Sequence, residues 1–222
     1  MKVQIEWKYK KGKKNITTFH SEWLEGEEAL NVSNDLEKWS SHSTIMFHDE
    51  TGVSWTKKEF QKLLQKSAGE AKDIELYFDG SYDRHSKKAG IGVIVYYKRD
   101  NQKVRYKWNE QLDELESNNE AEYAALHYGL LKLEEIAITG KKITIKGDSQ
   151  GVLKQLKGEW PCFEETLNRW LDRIEAKIKD LNLYPEYIPI PRNENKEADQ
   201  LASQALNGKK IESKLEMDDH HE

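Results

Sequence analysis

The sequence has little of what several functional classes require. Cys162 is its only cysteine among 222 residues, which excludes an intramolecular disulfide and a cysteine-rich zinc site. No apolar run approaches the roughly 20 residues of a membrane-spanning helix. The opening residues, Met1-Lys2-Val3-Gln4-Ile5-Glu6, hold no apolar stretch of signal-peptide length. The expectation is a cytoplasmic protein in a reducing setting, with no membrane partner. Internal repeats and low-complexity runs are absent. The seven histidines are scattered, and only His220-His221 are adjacent. An excess of positive charge is also missing. Lys and Arg total 35 against 40 Asp and Glu, a net charge of −5. The whole surface is therefore no basic sheath for nucleic acid, although a local basic patch stays open. Aromatic residues are plentiful: ten Tyr, seven Trp and five Phe can build a core although the hydrophobic share is only 36%.

Hydrophobic periodicity divides the chain into a small N-terminal α+β domain (1–66), a linker (67–73), a larger α/β domain (74–206) and a polar tail (207–222) expected to fray. In the first domain Val3, Ile5, Trp7 and Tyr9 alternate with polar residues as in a strand. Lys10 to Lys14 read as a turn, and Asn15 to Trp23 resume the strand pattern. Glu27–Trp39 reads as a helix, Ser43–Phe47 and Val53–Trp55 as short strands. Thr56 and Glu59 then form a capping-box pattern ahead of Phe60, Leu63 and Leu64. The order is ββαββα. The second domain reads βββαβααβα, a five-stranded mixed sheet flanked by helices. Its strands are expected at Ile74–Asp79, Gly90–Tyr97, Val104–Trp108, Lys142–Lys146 and Leu183–Ile190, with a hairpin at Arg99 to Gln102. Its helices are expected at 118–136, 150–156, 163–181 and 195–206.

Four acids stand where acids are awkward. Asp79 and Asp148 each end an apolar strand, Glu122 opens the long helix, and Asp199 lies in the first turn of the last helix. Strand C-terminal ends are where open α/β sheets bind ligands. If the two strands are neighbours and both helix starts lie over them, four carboxylates converge. Such a cluster needs a counter-charge to stay ionised. Oxygen-only donors suit Mg²⁺ or Mn²⁺, and two such ions can drive phosphodiester hydrolysis. Glu120 is only two residues from Glu122. Glu122, Leu126, Gly129 and Leu133 share one helical stripe, whereas Glu120 follows Ser117 by three and can cap the helix. Each acid alone has an ordinary explanation as a turn or helix-start residue; the weight lies in the ordered set.

Four stretches carry a family resemblance: Phe78-Asp79-Gly80-Ser81, Ser117-Asn118-Asn119-Glu120-Ala121-Glu122-Tyr123, Gly147-Asp148-Ser149-Gln150 and Glu194 to Ala202. Together they resemble type 1 ribonuclease H over about residues 74–206. The resemblance implies a ribonuclease H-like fold and cleavage of the RNA strand of RNA–DNA hybrids with two Mg²⁺ ions, leaving 3′-hydroxyl and 5′-phosphate ends. It makes Asp79, Glu122, Asp148 and Asp199 the catalytic, metal-binding set. It makes Asn118, Asn119 and Gln150 minor-groove contacts, places Gly80 and Ser81 along the RNA backbone, and sets Ser117 near a DNA phosphate. Amide side chains both donate and accept, which suits base edges and 2′-hydroxyls. Two features depart from many relatives. The loop before the last acid, Ile190 to Asn195, has no histidine but carries Pro191-Arg192, and Arg192 is a phosphate contact or a surface ion pair. The stretch 154–161, where relatives have a basic protrusion, is short. The Pro-Arg form makes duplex RNA a second substrate to consider. The alternative is a catalytically weak or inactive nucleic-acid-binding protein of the same fold. A 3′–5′ exonuclease fits less well, because Asp79 is followed by Gly80-Ser81 and not by a second acid.

Other features carry less. Gly90-Ile91-Gly92 precedes a strand and not a helix, so a dinucleotide site fails and close backbone packing is the reading. Cys162 has no histidine nearby in sequence, and Trp160 and Trp170 read as core or groove edge. In the first domain Lys8, Lys10, Lys11, Lys13 and Lys14 surround Trp7 and Tyr9. This pattern can bind phosphates and stack on bases, or form a solvated hairpin tip above two core aromatics. The N-terminal domain is thus an auxiliary unit with nucleic acid or a protein as its partner.

Overall fold

Strand periodicity in the first residues and helical periodicity after Gly26 produce the N-terminal unit directly. In the computed structural model the described residues are 1–11, 15–39, 44–67, 69–100 and 102–217. The tip of the Lys10–Lys14 turn (12–14), Ser43, Ala68 of the linker, Asn101 of the predicted hairpin and residues 218–222, with His220-His221, lie outside them. The chain divides into two units, Met1–Gly69 and Glu70–Glu222.

In the first unit β1 (Lys2–Lys11), β2 (Asn15–Glu25), β3 (Thr44–Asp49) and β4 (Ser54–Thr56) form an antiparallel sheet in the order β2-β1-β3-β4. Helices α1 (Gly26–Trp39) and α2 (Lys57–Ser67) complete it. Val3, Ile5, Ala29, Ile45, Phe47 and Phe60 make the core, with Phe47 and Phe60 stacked at 4.4 Å. The Thr56–Glu59 capping box forms in both directions: the Thr56 N–H donates to Glu59 Oε2 at 2.9 Å and the Glu59 N–H to Thr56 Oγ1 at 3.4 Å.

The second unit contains β5 (Lys72–Asp83), β6 (Lys88–Arg99), β7 (Gln102–Leu112), α3 (Asn118–Glu135), β8 (Lys142–Gly147), α4 (Gln150–Leu156), α5 (Glu165–Asp180), β9 (Tyr184–Pro189), a 3₁₀ turn at Arg192–Glu194, α6 (Lys196–Leu206) and β10 (Glu212–Met217). Its sheet has six strands, not the expected five, in the order β10-β7-β6-β5-β8-β9. The extra strand corrects the reading of the tail. β10 pairs antiparallel with β7 from Glu212↔Trp108 to Met217↔Lys103. Its residues are all exposed, so no buried face marks it, and beside the backbone ladder the Tyr106 hydroxyl donates to Glu212 Oε1 at 2.8 Å.

Buried Asn109 fastens this edge. Its Nδ2 donates to the carbonyls of Leu201 and Lys209 at 2.9 and 3.0 Å, and its Oδ1 accepts the Ile211 N–H at 2.6 Å. The centre of β6 is buried on both faces because α3 covers one and α6 the other. Glycines make the α6 approach possible. A Cβ on Gly90 or Gly92 would lie 2.1 or 2.3 Å from the carbonyl oxygens of Ala202 or Ala198. No described helix is long and apolar enough to cross a membrane.

Candidate active site

Strands β5 and β8 run parallel and side by side, in register from Ile74↔Ile143 to Tyr77↔Lys146. Two residues beyond the last pair on each strand stand Asp79 and Asp148, so the shared direction delivers both carboxylates to one end of the sheet. Asp79 does not terminate its strand, as the sequence suggested. β5 continues to Asp83, paired with β6 through Asp79↔Gly92, Gly80↔Ile91 and Ser81↔Gly90. Only the parallel pairing stops short of Asp79.

Glu122 reaches the same place because α3 lies directly on β5. A Cβ on Gly80 would sit 2.3 Å from the Ala121 carbonyl carbon and 2.4 Å from the Glu122 nitrogen. Only glycine allows that approach. Ser117 caps the helix, accepting the Glu120 N–H at 3.1 Å. Glu120 is buried and structural: its Oε2 accepts the Glu116 N–H and its Oε1 the Trp170 indole N–H, both at 2.9 Å. It thus reaches one residue further back than a standard capping box, and pins α5 to α3 as well.

Asp79, Glu122 and Asp148 each offer an oxygen within 4.8 Å of the other two. Asp199 borders this group but is engaged elsewhere: Arg192 Nη2 donates to its Oδ1 at 2.6 Å. Three of the four expected acids therefore converge, and the fourth is held by the arginine of the preceding turn. Burial, then the charges of Asp148 and Asp199, push the Asp79 carboxyl from 3.8 up to about 8, with Arg192 opposing. Burial, then Asp79 and Asp148, also drive Glu122 well above its ordinary value, against a Gly80 backbone hydrogen bond and the Arg192 charge. Glu122 Oε2 is buried with no hydrogen-bond donor among the described residues. Crowded acids, an orphaned carboxylate oxygen and an all-oxygen donor set are what a hard divalent cation would satisfy.

A pH dependence follows. Asp79 titrates near 3.9 in the unfolded chain, so the folded state holds the extra proton between about 4 and about 8. Its contribution to stability is complete below that window and is lost as pH rises through it, by up to about 1.4 kcal/mol per pH unit. Glu122 acts in the same direction. His127, whose pKa is lowered by burial and then by Arg173 and Lys177, acts oppositely up to about pH 6.5. Metal-free melting temperature should therefore fall between pH 7 and 8.5. A divalent cation held there would compete with protons for the same oxygens, so Mn²⁺ should raise it more at pH 8.5 than at pH 7. Thermal unfolding at both pH values, with and without Mn²⁺, checks this; equal Mn²⁺ shifts would contradict it.

The remaining expected residues lie on the elements that carry the triad or next to them in sequence. Asn118 and Asn119 are exposed in the first turn of α3, with Asn118 one turn before Glu122 on the same face. Gln150 is exposed at the start of α4, two residues after Asp148. Ser81 is half-buried on β5, whereas Gly80 is buried beneath α3. The Arg192 side chain is 78% exposed. Trp170 is core, while Trp160 is exposed beneath Lys154, whose ammonium stands 4.3 Å from the ring centre.

One participant had no role assigned from sequence. Asn195 is buried, and its Nδ2 donates to the Phe78 carbonyl at 2.9 Å and to Asp148 Oδ1 at 2.8 Å. An asparagine ahead of a helix reads as a cap, which hid this bridge.

Residues 77–205 match the family model described as Reverse transcriptase-like. A Bacillus subtilis (strain 168) protein described as Uncharacterized protein YpeP is 41% identical over 208 residues, covering 94% of this chain and 92% of its own. That span exceeds the length of the second unit, so the likeness extends into the first. Ribonuclease HI of Halobacterium salinarum is 37% identical over 91 residues, 40% of this chain and 44% of that protein. Among solved structures, RNase H1 of H. salinarum NRC-1 aligns with a TM-score of 0.52 at 26% identity, over 62% of this chain and 99% of that one. LC11-RNase H1, solved in complex with an RNA/DNA hybrid, aligns with a TM-score of 0.51 at 24% identity, over 61% of this chain and 98% of its own. With three acids gathered at the ends of parallel β5 and β8 and these likenesses in agreement, the chain belongs to the Reverse transcriptase-like family, and its second unit is a domain of type 1 ribonuclease H fold.

Proposed function

We propose that this protein hydrolyses the RNA strand of RNA–DNA hybrids as a divalent-metal endonuclease, with Asp79, Glu122, Asp148 and Asp199 as its metal-binding set. The observation that carries the reading is the meeting of three carboxylate oxygens within 4.8 Å, at a place that forces Asp79 up to about 8. Bound there, two Mg²⁺ or Mn²⁺ ions would activate a water and stabilise the leaving oxygen, giving 3′-hydroxyl and 5′-phosphate products.

The chain's own groups do the rest. Asp79 and Glu122 give up their protons as the site loads. Asp199 exchanges its Arg192 partner for the site, and Arg192, already largely in solvent, turns to a substrate phosphate. Asn118, Asn119 and Gln150 present amides from two adjacent helix starts to base edges and 2′-hydroxyls of a shallow minor groove. Ser81 lies beside Asp79 for the RNA backbone. Ser117 retains an O–H to donate to a DNA phosphate. Gly80 admits α3 on its Cα side and stands with Ser81 for the RNA backbone. A lone cysteine and a nucleic-acid substrate suit work in the cytoplasm.

For the N-terminal unit we propose an auxiliary contact to nucleic acid. Trp7 stacks on Phe19 at 5.3 Å, Phe19 is 49% exposed, and lysines cluster along the same hairpin in sequence. Phe19→Ala is expected to raise KM for a hybrid several-fold with kcat unchanged in steady-state assays; an unchanged KM would remove this contact.

The Arg192–Asp199 ion pair favours one rival, a binding protein without activity, because it engages the fourth acid. Digestion of end-labelled hybrid, duplex RNA, duplex DNA and single strands with Mg²⁺ and Mn²⁺ separates the readings. Metal-dependent cuts confined to the RNA of the hybrid support hydrolysis. Binding without cleavage under every condition would leave the rival.

A further inference from the structure

We infer that Asn195 is a positioning residue that holds Asp148 in its metal-binding orientation; the inference rests on the reading of the three-acid cluster as a metal centre. Its side chain is 1% exposed and stands between two structural pieces that carry ligands. The amide NH₂ group donates to the Phe78 carbonyl, one residue before Asp79, and to the Asp148 carboxylate. Both partners are pure acceptors, so the nitrogen must face them and the amide orientation is determined. Asp148 is thereby left with one oxygen fixed and its direction set by a charge-assisted bond.

The ordinary explanation for an asparagine ahead of a helix is capping. Here the side chain makes no cap hydrogen bond to α6. Its backbone carbonyl, by contrast, accepts the Asp199 N–H at 3.1 Å. One buried residue therefore touches the Asp148 carboxylate, the backbone beside Asp79 and the backbone of Asp199. Its Oδ1 is buried without a partner among the described residues, so the side chain is retained at the cost of an unsatisfied acceptor, which a capping or purely packing role would not require.

The test uses the full-length chain without substrate and Mn²⁺ alone as the probe, its binding followed by electron paramagnetic resonance of the free ion. Asn195→Ala should weaken Mn²⁺ binding about tenfold, the usual scale for losing a residue that orients a ligand, and lower kcat on a hybrid with KM nearly unchanged. Circular dichroism confirms folding. Asn195→Ser keeps one short hydroxyl donor and should fall between alanine and wild type, and it decides the question if the alanine variant does not fold. Wild-type Mn²⁺ affinity in either folded variant overturns the inference while leaving the metal centre standing. A wild-type chain that neither binds Mn²⁺ nor cleaves a hybrid overturns the metal-centre reading, and this inference with it.

Discussion

Asp79→Asn should abolish metal-dependent cleavage while making the metal-free protein more stable at pH 8. The two effects share one cause. Asp79 is buried beside other carboxylates, and its carboxyl titrates at about 8 where an exposed one would titrate near 3.8. An amide of the same shape carries no charge, so it removes repulsion from the folded state, and the melting temperature should rise by a few degrees, corresponding to roughly 1 kcal/mol. The same amide is a poor ligand for a hard cation. Cleavage of a labelled hybrid should therefore fall by at least about 10³-fold, or roughly 4 kcal/mol of transition-state stabilisation. Opposite signs in activity and stability are the signature of a residue kept for function. A variant that loses activity and stability together would point to a structural acid. A variant that cleaves like wild type would remove Asp79 from the chemistry.

Gly80→Ala should damage both properties. The added methyl would meet the α3 backbone at 2.3–2.5 Å, at Ala121 and Glu122, where no flexible side chain can move aside. The helix must retreat from β5 by about an ångström to restore ordinary contact. Overpacking of this kind typically costs about 1–3 kcal/mol, and more where backbone meets backbone. The retreat carries Glu122 away from Asp79 and Asp148. A displacement of about 1 Å in a reacting group can cost roughly 10²-fold in rate. Gly151→Ala is the stability control, because no described residue lies within 4 Å of its added methyl. Denaturant unfolding and hybrid cleavage of the two variants check the claim. Equal stability of both would mean that α3 does not rest on β5 as closely as described.

The sequence made much of this site legible because its signals are local. Asp79 and Asp148 each follow an apolar strand, and the stripe through Glu122, Leu126, Gly129 and Leu133 points to one packed face. Glu120, two residues away, was separable by its three-residue spacing from Ser117, and its bonds to Glu116 and Trp170 agree with a structural role. What stayed hidden depends on contacts between distant residues. Asn195 reaches Phe78 and Asp148 across 117 and 47 positions, and no pattern in its own neighbourhood announces that. Nothing in the sequence around Gly80 shows that α3 is laid across it. Arg192 lies seven residues before Asp199, and only the 3₁₀ turn between them folds the guanidinium back onto the carboxylate. The tail misled for a different reason. Ser213, Leu215 and Met217 do alternate with the charged Glu212, Lys214 and Glu216, but only two of these six residues are apolar and all six are exposed, so the run reads as polar tail.

On the proposed reading, folding brings Asp79, Glu122 and Asp148 together to hold a divalent cation. Anomalous diffraction from a crystal of the full-length protein soaked in MnCl₂ tests it most directly. A manganese peak is expected among these three side chains, with carboxylate oxygens at about 2.1–2.3 Å, near the range of small hard divalent ions. Carboxylates turned away from one another, with no anomalous density between them, would contradict it.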